Sequence, residues 1–157
     1  MREMKYVADS QTENSYLLMP AHINGYGRLF GGKLMQWIDE MAGIVSKRHA
    51  GMETTTAAVD NLQFKSAAKI NDMLVLRGKI TYVGRSSMEV RVDTYVEGLD
   101  GRRHVINRAY LVMVAIDEEG VPVEVPGLIL ENENERAEWE GGRKRSELRK
   151  LRRNEGY

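Results

Sequence analysis

The sequence predicts an α+β domain in which a curved antiparallel sheet wraps around one long helix. From Lys33 to about His49, apolar residues recur at three- and four-residue steps and cover most of the helical circumference. Four later segments are rich in β-branched and aromatic residues, and no helical pattern separates the last three. A helix that is apolar almost all round must be enclosed by other structure, and a twisted sheet curling around it provides that enclosure.

Length and composition restrict the possibilities further. The chain has 157 residues, no cysteine, 42% hydrophobic residues and a formal net charge of +0. One domain suits this length, the lack of cysteine excludes disulfides and zinc–thiolate sites, and the balanced charge argues against binding to nucleic acid. The first twenty residues contain no long apolar stretch. We therefore expect no signal peptide, no membrane-spanning segment and a cytoplasmic location.

The N-terminal third is predicted to contain an arm, a strand, a loop and the helix. Residues 1–14 are polar and are expected to form a loose arm. The stretch "SYLLMP" predicts a short strand that ends at Pro20. Four glycines between Asn24 and Gly32 indicate a loop, and Gly51 is expected to end the helix.

The rest of the chain is predicted to form strands followed by a charged tail. The strand segments are "TTTAAVDNLQF", "MLVLRGKITYV", "SMEVRVDTYVEG" and "HVINRAYLVMVAID". In the third, apolar and polar residues alternate from Met88 to Val96, which is typical of a half-buried antiparallel strand. Residues 15–130 are expected to form the domain and residues 131–157 a tail that is acidic first and basic later. The tail predicts a polar helix, either solvated or packed on another subunit; a nucleic-acid-binding arm is the weaker alternative.

Two glycines, Gly31 and Gly32, stand directly before the predicted start of the helix at Lys33. Glycine lets a ligand approach the backbone closely, and the first amides of a helix lack intrahelical partners and carry partial positive charge. Such amides stabilise a carbonyl oxygen that becomes an oxyanion. The alternative is that the two glycines only form a tight turn.

Asp39 is the charged residue that most needs an explanation, because it lies inside the apolar helix. It falls about two turns from the start of the helix and shares a side with Met35, Ala42 and Gly43. Small neighbours leave room for a ligand or a facing chain, so we prefer Asp39 to the adjacent Glu40 as the functional acid. The structural alternative, an aspartate bonded to a backbone amide or to an arginine, stays open.

Upstream of the helix, His22 stands two residues before Asn24 and is a candidate for half of an acid–base pair with Asp39, although a single loop histidine is more often an exposed residue. The sequence contains no HxxxH, HExxH or clustered carboxylates, so no metal site is predicted. It also lacks the GxSxG elbow of serine hydrolases and the Gly-Lys-Ser/Thr ending of a P-loop.

Four stretches together resemble the hot-dog-fold acyl-CoA thioesterases, in particular the bacterial and cytosolic acyl-CoA hydrolases. The first contains the loop and the helix, "PAHINGYGRLFGGKLMQWIDEMAGIVSKRHAG". The others are "TTTAAVDNLQFKSA", "YVGRSSMEVRVDTYVE" and "NRAYLVMVAIDEEGVPVEVPGLILENENE". The resemblance covers about residues 15–135, and its specificity comes from the combination of stretches.

The resemblance implies a hot-dog fold, edge-to-edge pairing of two units, and assembly of these dimers as a trimer of dimers. It also implies an active site between subunits. Asp39 stands where the family has its general base or nucleophile, and Asn24, from the opposing subunit, where the family has a residue that orients water or substrate. The Gly31–Gly32 amides would hold the thioester carbonyl. No cofactor is implied, because coenzyme A is part of the substrate and the product.

The resemblance also suggests contacts to coenzyme A. In "GRSS", Arg85 can pair with phosphate, and Ser86 and Ser87 can donate hydrogen bonds. Asn61 and Lys65 follow on a neighbouring strand and are expected to line the same channel. For Lys65 and Arg85 the alternative is ordinary surface charge.

One departure from the family concerns the loop. Many relatives have Asp-Thr before the asparagine, where this chain has His22 and Ile23. The asparagine itself is retained, so the predicted chemistry is unchanged, but the hydrogen bonds that orient the loop must differ.

The predicted function is hydrolysis of fatty acyl-CoA to free fatty acid and coenzyme A. The alternative is a non-catalytic acyl-CoA-binding regulator on the same fold, which should lack the helix acid, whereas Asp39 and Asn24 are both present. A dehydratase fits poorly, because "HINGYG" lacks the "HFPGxP" pattern. The sequence does not define acyl length, which is expected to depend on four side chains packed against a partner subunit: Met35, Trp37, Met41 and Met113.

Overall fold

The computed structural model describes all 157 residues. It contains seven strands and three helices, together with a short 3₁₀ turn at Pro20–His22. The elements in chain order are β1 Met4–Tyr6, α1 Val7–Ser10, β2 Thr12–Leu17, α2 Gly31–Ala50, β3 Thr54–Phe64, β4 Met73–Val83, β5 Ser87–Glu97, β6 Arg103–Ala115, β7 Gly127–Ile129 and α3 Glu133–Glu155.

Five strands form one antiparallel sheet in the order β2-β4-β5-β6-β3, and α2 lies across one face of it. Register shifts interrupt the β3–β6, β4–β5 and β5–β6 pairings, and such bulges bend and twist the strands that contain them. The predicted sheet around one helix is therefore confirmed. β3 is the last strand of the sheet, so one of its edges has no partner within the chain.

The helix α2 packs closely on the sheet at Gly78 of β4. A Cβ atom at Gly78 would lie 2.8 Å from Met41 Cγ and 2.9 Å from Val45 Cγ2, closer than real contacts permit. The helix begins at Gly31, two residues before the predicted start, and Gly51 ends it with a left-handed φ of 69°. Most of the apolar residues used in the prediction are buried in the core, namely Leu34, Trp37, Ile38, Met41, Ala42 and Val45.

Residues 1–14 do not form a loose arm, so this prediction is wrong. β1 pairs in parallel with β7, and Val7 and Ser10 of α1 are buried. The Arg2 guanidinium donates hydrogen bonds to the carbonyl oxygens of Val125 and Gly84. The predicted boundary after residue 14 falls inside β2, which begins at Thr12. Composition misleads here because the partners of this segment, β4, β7 and the β4–β5 turn, lie far along the chain.

The charged tail forms α3, which packs on the outer face of the chain's own sheet. Asn132 caps the helix by accepting a hydrogen bond from the Glu135 amide. The rings of Tyr82 and Trp139 lie 4.5 Å apart, and a Cβ atom at Gly142 would lie 2.5 Å from Tyr82 Cβ. The helix therefore lies against the chain's own sheet, whereas the sequence left it either solvated or packed on another subunit.

Buried ion pairs join α3 to the sheet. Glu89 of β5 is only 1% exposed and accepts hydrogen bonds from Thr81, Arg145 and Arg149. Arg149 also reaches Asp60 of β3. The alternating strand predicted to be half-buried is therefore covered on both faces, because α3 supplies partners for its charged side.

Candidate active site

The carboxylate of Asp39 is exposed on α2, facing β3. Thr56 Oγ1 donates a hydrogen bond of 2.6 Å to Asp39 Oδ1, and no arginine and no backbone amide donates to this side chain. Thr56 pairs with Met113 of β6 on the sheet face that carries α2, and this register brings the hydroxyl to the helix. Asp39 is thus not bonded to a backbone amide or to an arginine, which was the structural alternative considered for it. Glu40 is different, since it accepts a hydrogen bond from Gln36 on its own helix.

An open depression of about 490 Å³ lies beside the Asp39 carboxylate. We call it the Asp39 depression. Five of its residues are on one side of α2 and three are on the sheet: Asp39, Glu40, Gly43, Ile44, Lys47, Thr54, Thr56 and Met113. A carboxylate with one hydrogen-bond donor and an open side can accept a proton from water or attack an electrophile.

Gly31 and Gly32 are the first two residues of α2, and their amides donate no hydrogen bond within the chain. A Cβ atom at Gly32 would lie 2.7 Å from the ring of Phe30, so a side chain there would displace that ring. The two free amides at the positive end of the helix can bind a carbonyl oxygen. They lie about 10 Å along the helix axis from Asp39, too far for both to contact one carbonyl group within a single chain.

Asn24 is held by the loop before α2. Its Oδ1 accepts hydrogen bonds from the amides of Tyr26 and Arg28, which leaves its Nδ2 group free to donate. It lines a second depression of about 320 Å³ together with Leu34 and Lys65. Asn24 and Asp39 therefore open onto different depressions of the same chain.

His22 is part of the loop's own support. Its Nδ1 accepts a hydrogen bond from the Met19 amide, and its ring lies edge-on to Trp37 with centroids 4.9 Å apart. The His22 carbonyl also accepts from the Phe30 amide, which ties the loop to the start of α2. These contacts explain how the loop is oriented without the Asp-Thr pair of many relatives.

The five candidate contacts to coenzyme A are not grouped together within one chain. Arg85, Ser86 and Ser87 lie at the turn between β4 and β5, where the Ser86 carbonyl accepts from the amide that ends β6. Lys65 lies just beyond the other end of β3, whereas Asn61 lies within β3. From the level of Ser87, Lys65 is roughly 25 Å away along the sheet and Asn61 roughly 15 Å. Asn61 adopts a left-handed φ of 53° at an irregularity in β3, which asparagine tolerates better than most residues.

Thr56 is the one site residue that the sequence analysis missed. It stands in "TTTAAVD", where three adjacent threonines look alike. The strand alternation places Thr54 and Thr56 on one face, but only the helix–sheet register distinguishes the residue that reaches Asp39.

The structure contains neither a metal-binding cluster nor a membrane-spanning helix. No three His, Asp or Glu side chains are grouped so that they could hold a metal ion. No helix combines the length and the apolar character that crossing a membrane would need.

Comparison with known proteins gives a consistent result. The model of the thioesterase superfamily matches residues 26–100. The acyl-CoA thioester hydrolase YkhA of Bacillus subtilis is 37% identical over 134 residues, which cover 85% of this chain and 78% of that protein.

Solved structures agree over almost the whole chain. An acyl-CoA hydrolase of Staphylococcus aureus, in complex with butyryl coenzyme A, coenzyme A and coenzyme A disulfide, is 34% identical with a TM-score of 0.92, covering 98% of this chain and 94% of that one. The same enzyme has been solved with an asparagine, an aspartate or a threonine replaced by alanine. A hexameric acyl-CoA thioesterase in its apo form is 38% identical with a TM-score of 0.91, covering 96% of this chain and 97% of that one.

The hot-dog fold and the enzyme class predicted from the sequence are confirmed by these matches. The chain belongs to the thioesterase superfamily and is a hot-dog-fold acyl-CoA thioester hydrolase.

Proposed function

We propose that the protein hydrolyses fatty acyl-CoA with Asp39 as general base or nucleophile, assisted by Asn24 of the opposing subunit. The observation that supports this most strongly is the Asp39 carboxylate itself, held by Thr56 alone and open to a depression of about 490 Å³. The reaction needs no cofactor, because a thioester is an activated acyl group and coenzyme A is a good leaving group.

The bond changes are simple for a general base. Asp39 takes a proton from water, and the water oxygen forms a bond to the acyl carbon. Helix amides stabilise the resulting oxyanion. The carbon–sulfur bond then breaks, and the proton passes from Asp39 to the coenzyme A thiolate. If Asp39 attacks first, an anhydride forms and water hydrolyses it. A single turnover in ¹⁸O-water tests for the anhydride: label in Asp39 shows that water attacked an anhydride at the Asp39 carboxyl carbon, whereas direct attack on the thioester labels only the fatty acid.

A site built from two chains agrees with the distances within one chain. Asp39 opens onto a different depression from Asn24, and the free amides of Gly31 and Gly32 lie about 10 Å along the helix axis from Asp39. We assign Asn24 and the two glycines to one subunit and Asp39 to the other. The unpaired edge of β3 supports edge-to-edge pairing as the way the two subunits meet. The hexameric relative supports a trimer of dimers.

The contacts to coenzyme A are assigned to more than one subunit. Arg85, Ser86 and Ser87 would bind from one chain, and Asn61 and Lys65 from another, because within one chain Asn61 and Lys65 lie roughly 15 and 25 Å from the β4–β5 turn. Arg85 is exposed and presents its guanidinium to a phosphate group. No observation favours the regulator that was considered as an alternative function.

The decisive experiment uses purified protein, a panel of acyl-CoAs and a thiol-detecting dye. We expect Asp39→Ala to lose nearly all turnover while its assembly state, measured by light scattering, stays that of the parent. Glu40→Gln is the matched control at the neighbouring carboxylate and should lose far less. The proposal is wrong if Asp39→Ala hydrolyses acyl-CoA as fast as the parent.

A further inference from the structure

The Asp39 depression follows α2 away from the carboxylate. Asp39, Gly43 and Lys47 are four residues apart and therefore lie above one another on one side of the helix. Asp39 and Lys47 are about 12 Å apart along the helix axis. The depression is thus a groove with the candidate base at one end.

Gly43 leaves this groove open. A Cβ atom at Gly43 would meet no atom within 4 Å, so packing within the chain does not require glycine. At Gly78 and Gly142, by contrast, a Cβ atom would clash with a side chain or the sheet. Glycine inside a helix is destabilising relative to alanine, so Gly43 is unfavourable for the helix and has no packing role in the chain that would explain it.

The walls of the groove change character along its length. Ile44 is half-buried and lies between Asp39 and Lys47 along the helix, and Met113, which is almost wholly buried, lies at the Asp39 end, where it pairs with Thr56. At the far end, Lys47 pairs with Glu53 at 3.0 Å, and Thr54 bonds to Ser46. An apolar chain lying in the groove would be favoured over Ile44 and Met113 and disfavoured where it reached the charged pair.

Three of the four side chains expected from the sequence to govern acyl length, Met35, Trp37 and Met41, do not line this groove. Trp37 and Met41 belong to the chain's own core. Only Met113 lines the Asp39 depression, and it is 2% exposed.

We infer that Gly43 determines acyl-chain length: the acyl group of the substrate lies along α2 from Asp39 across Gly43, against Ile44 and Met113, and stops before the Lys47–Glu53 pair. This rests on the proposed function, since it takes Asp39 as the base. The substrates it selects are short and medium acyl-CoAs whose chains end within the apolar part of the groove.

The test is a chain-length profile of kcat/KM for saturated acyl-CoAs from acetyl to long-chain. Gly43→Leu should fill the groove and lower kcat/KM for octanoyl-CoA at least about tenfold relative to acetyl-CoA, a difference typical of one blocked methylene site or more. Gly43→Ala, which suits a helix, should give a smaller shift in the same direction. Ile44→Ala should shift the profile toward longer chains. Gln36→Leu, which adds a leucine on α2 outside the groove, should keep the parental profile.

The inference is overturned if Gly43→Leu hydrolyses all chain lengths in the parental ratio. It is also overturned if Gly43→Leu and Gly43→Ala dissociate the assembly in light scattering, because Gly43 would then be a site of subunit contact. Should the parent hydrolyse no acyl-CoA, or should Asp39→Ala stay active, the proposed function fails instead, and the two failures are distinguishable.

Discussion

Thr56 positions the candidate base through one short hydrogen bond of 2.6 Å. Thr56→Val removes the hydroxyl but keeps the side-chain shape. A hydrogen bond to a charged group contributes about 1.5–3 kcal/mol, so we expect kcat to fall by roughly 10- to 100-fold. KM should change little, because Thr56 touches the base and not the bulk of the substrate. Thr56→Ser keeps the donor and should retain most of the turnover. Steady-state kinetics of the two variants would check this, and equal losses in both would contradict it.

His49 makes the stability of the protein depend on pH. It is fully buried, its Nε2 donates to the Pro126 carbonyl at 2.8 Å, and its Nδ1 has no partner. Burial lowers the pKa of His49 below its usual 6.5; the Pro126 carbonyl and Asp9 oppose this, and the charges of Lys5 and Arg2 lower the pKa further. The native state therefore keeps His49 neutral where the unfolded chain binds a proton.

The sign of the pH dependence follows from that difference. The contribution of His49 to stability is fully present above the pKa of the unfolded chain and is lost as pH falls from there toward the lower native pKa, by at most about 1.4 kcal/mol per pH unit. His49→Gln keeps a donor for Pro126 but binds no proton. Urea denaturation at several pH values should show a smaller loss of unfolding free energy in this variant below about pH 6.5. Parallel pH curves for parent and variant would contradict the prediction.

At the site, the sequence predicted what depends on one element and missed what depends on two. The helical period made Asp39 a candidate, and the position at the helix start made Gly31 and Gly32 candidates. The bond from Thr56 needs the register of β3 against α2, next to an irregularity between Thr56 and Ala58. A one-residue change of register in a strand turns a side chain to the other face, so this contact could not be predicted from local pattern.

Among the elements, α3 offers a test of close packing at two adjacent glycines. A Cβ atom at Gly142 would meet Tyr82 Cβ at 2.5 Å, whereas at Gly141 the nearest atoms are the far end of Arg145, at 3.1 Å. Gly142→Ala should therefore destabilise the protein by roughly 1–3 kcal/mol through overpacking. Gly141→Ala gains up to about 1 kcal/mol of helix propensity and should unfold at the parental urea concentration or above. Similar midpoints for the two variants would show that α3 does not pack on the sheet as described.

Element types were predictable where a period extends over many residues. The long helix and the four long strands follow from periods of 3.6 and 2, and their ends from glycine turns. The N-terminal segment was mispredicted because β1 is only three residues long and gains its order from β7 near the other end of the chain. A strand this short has no period of its own, and its pairing is a tertiary effect.

For the whole molecule, the proposed two-chain site predicts complementation between inactive variants. Asp39→Ala and Asn24→Ala homodimers each lack a residue in every site. After joint unfolding and refolding at equal amounts, half of the dimers are mixed and each contains one intact site, so about a quarter of the parental sites return. Thiol release before and after mixing measures the effect. If no activity returns although mixed dimers form, Asp39 and Asn24 act within one chain.

The location and the assembly of the protein can each be tested directly. The cytoplasmic location stays a prediction, and cell fractionation would test it. The order of assembly is open to native mass spectrometry, in which the proposed trimer of dimers should dissociate into dimers before it dissociates into single chains.

The unpaired side of β3 also has a consequence for the newly made chain. In a single chain, the outward-facing backbone groups along this 11-residue strand have no hydrogen-bond partner, and the strand exposes the side chains of Val59 and Phe64. An unpaired strand edge of this kind is a template for cross-β stacking. In the proposed dimer, correct pairing of two β3 edges then competes with cross-β stacking, since both processes are bimolecular. A mutation that slows recognition between correct partners should first appear as insoluble protein, before any change in catalysis is measurable.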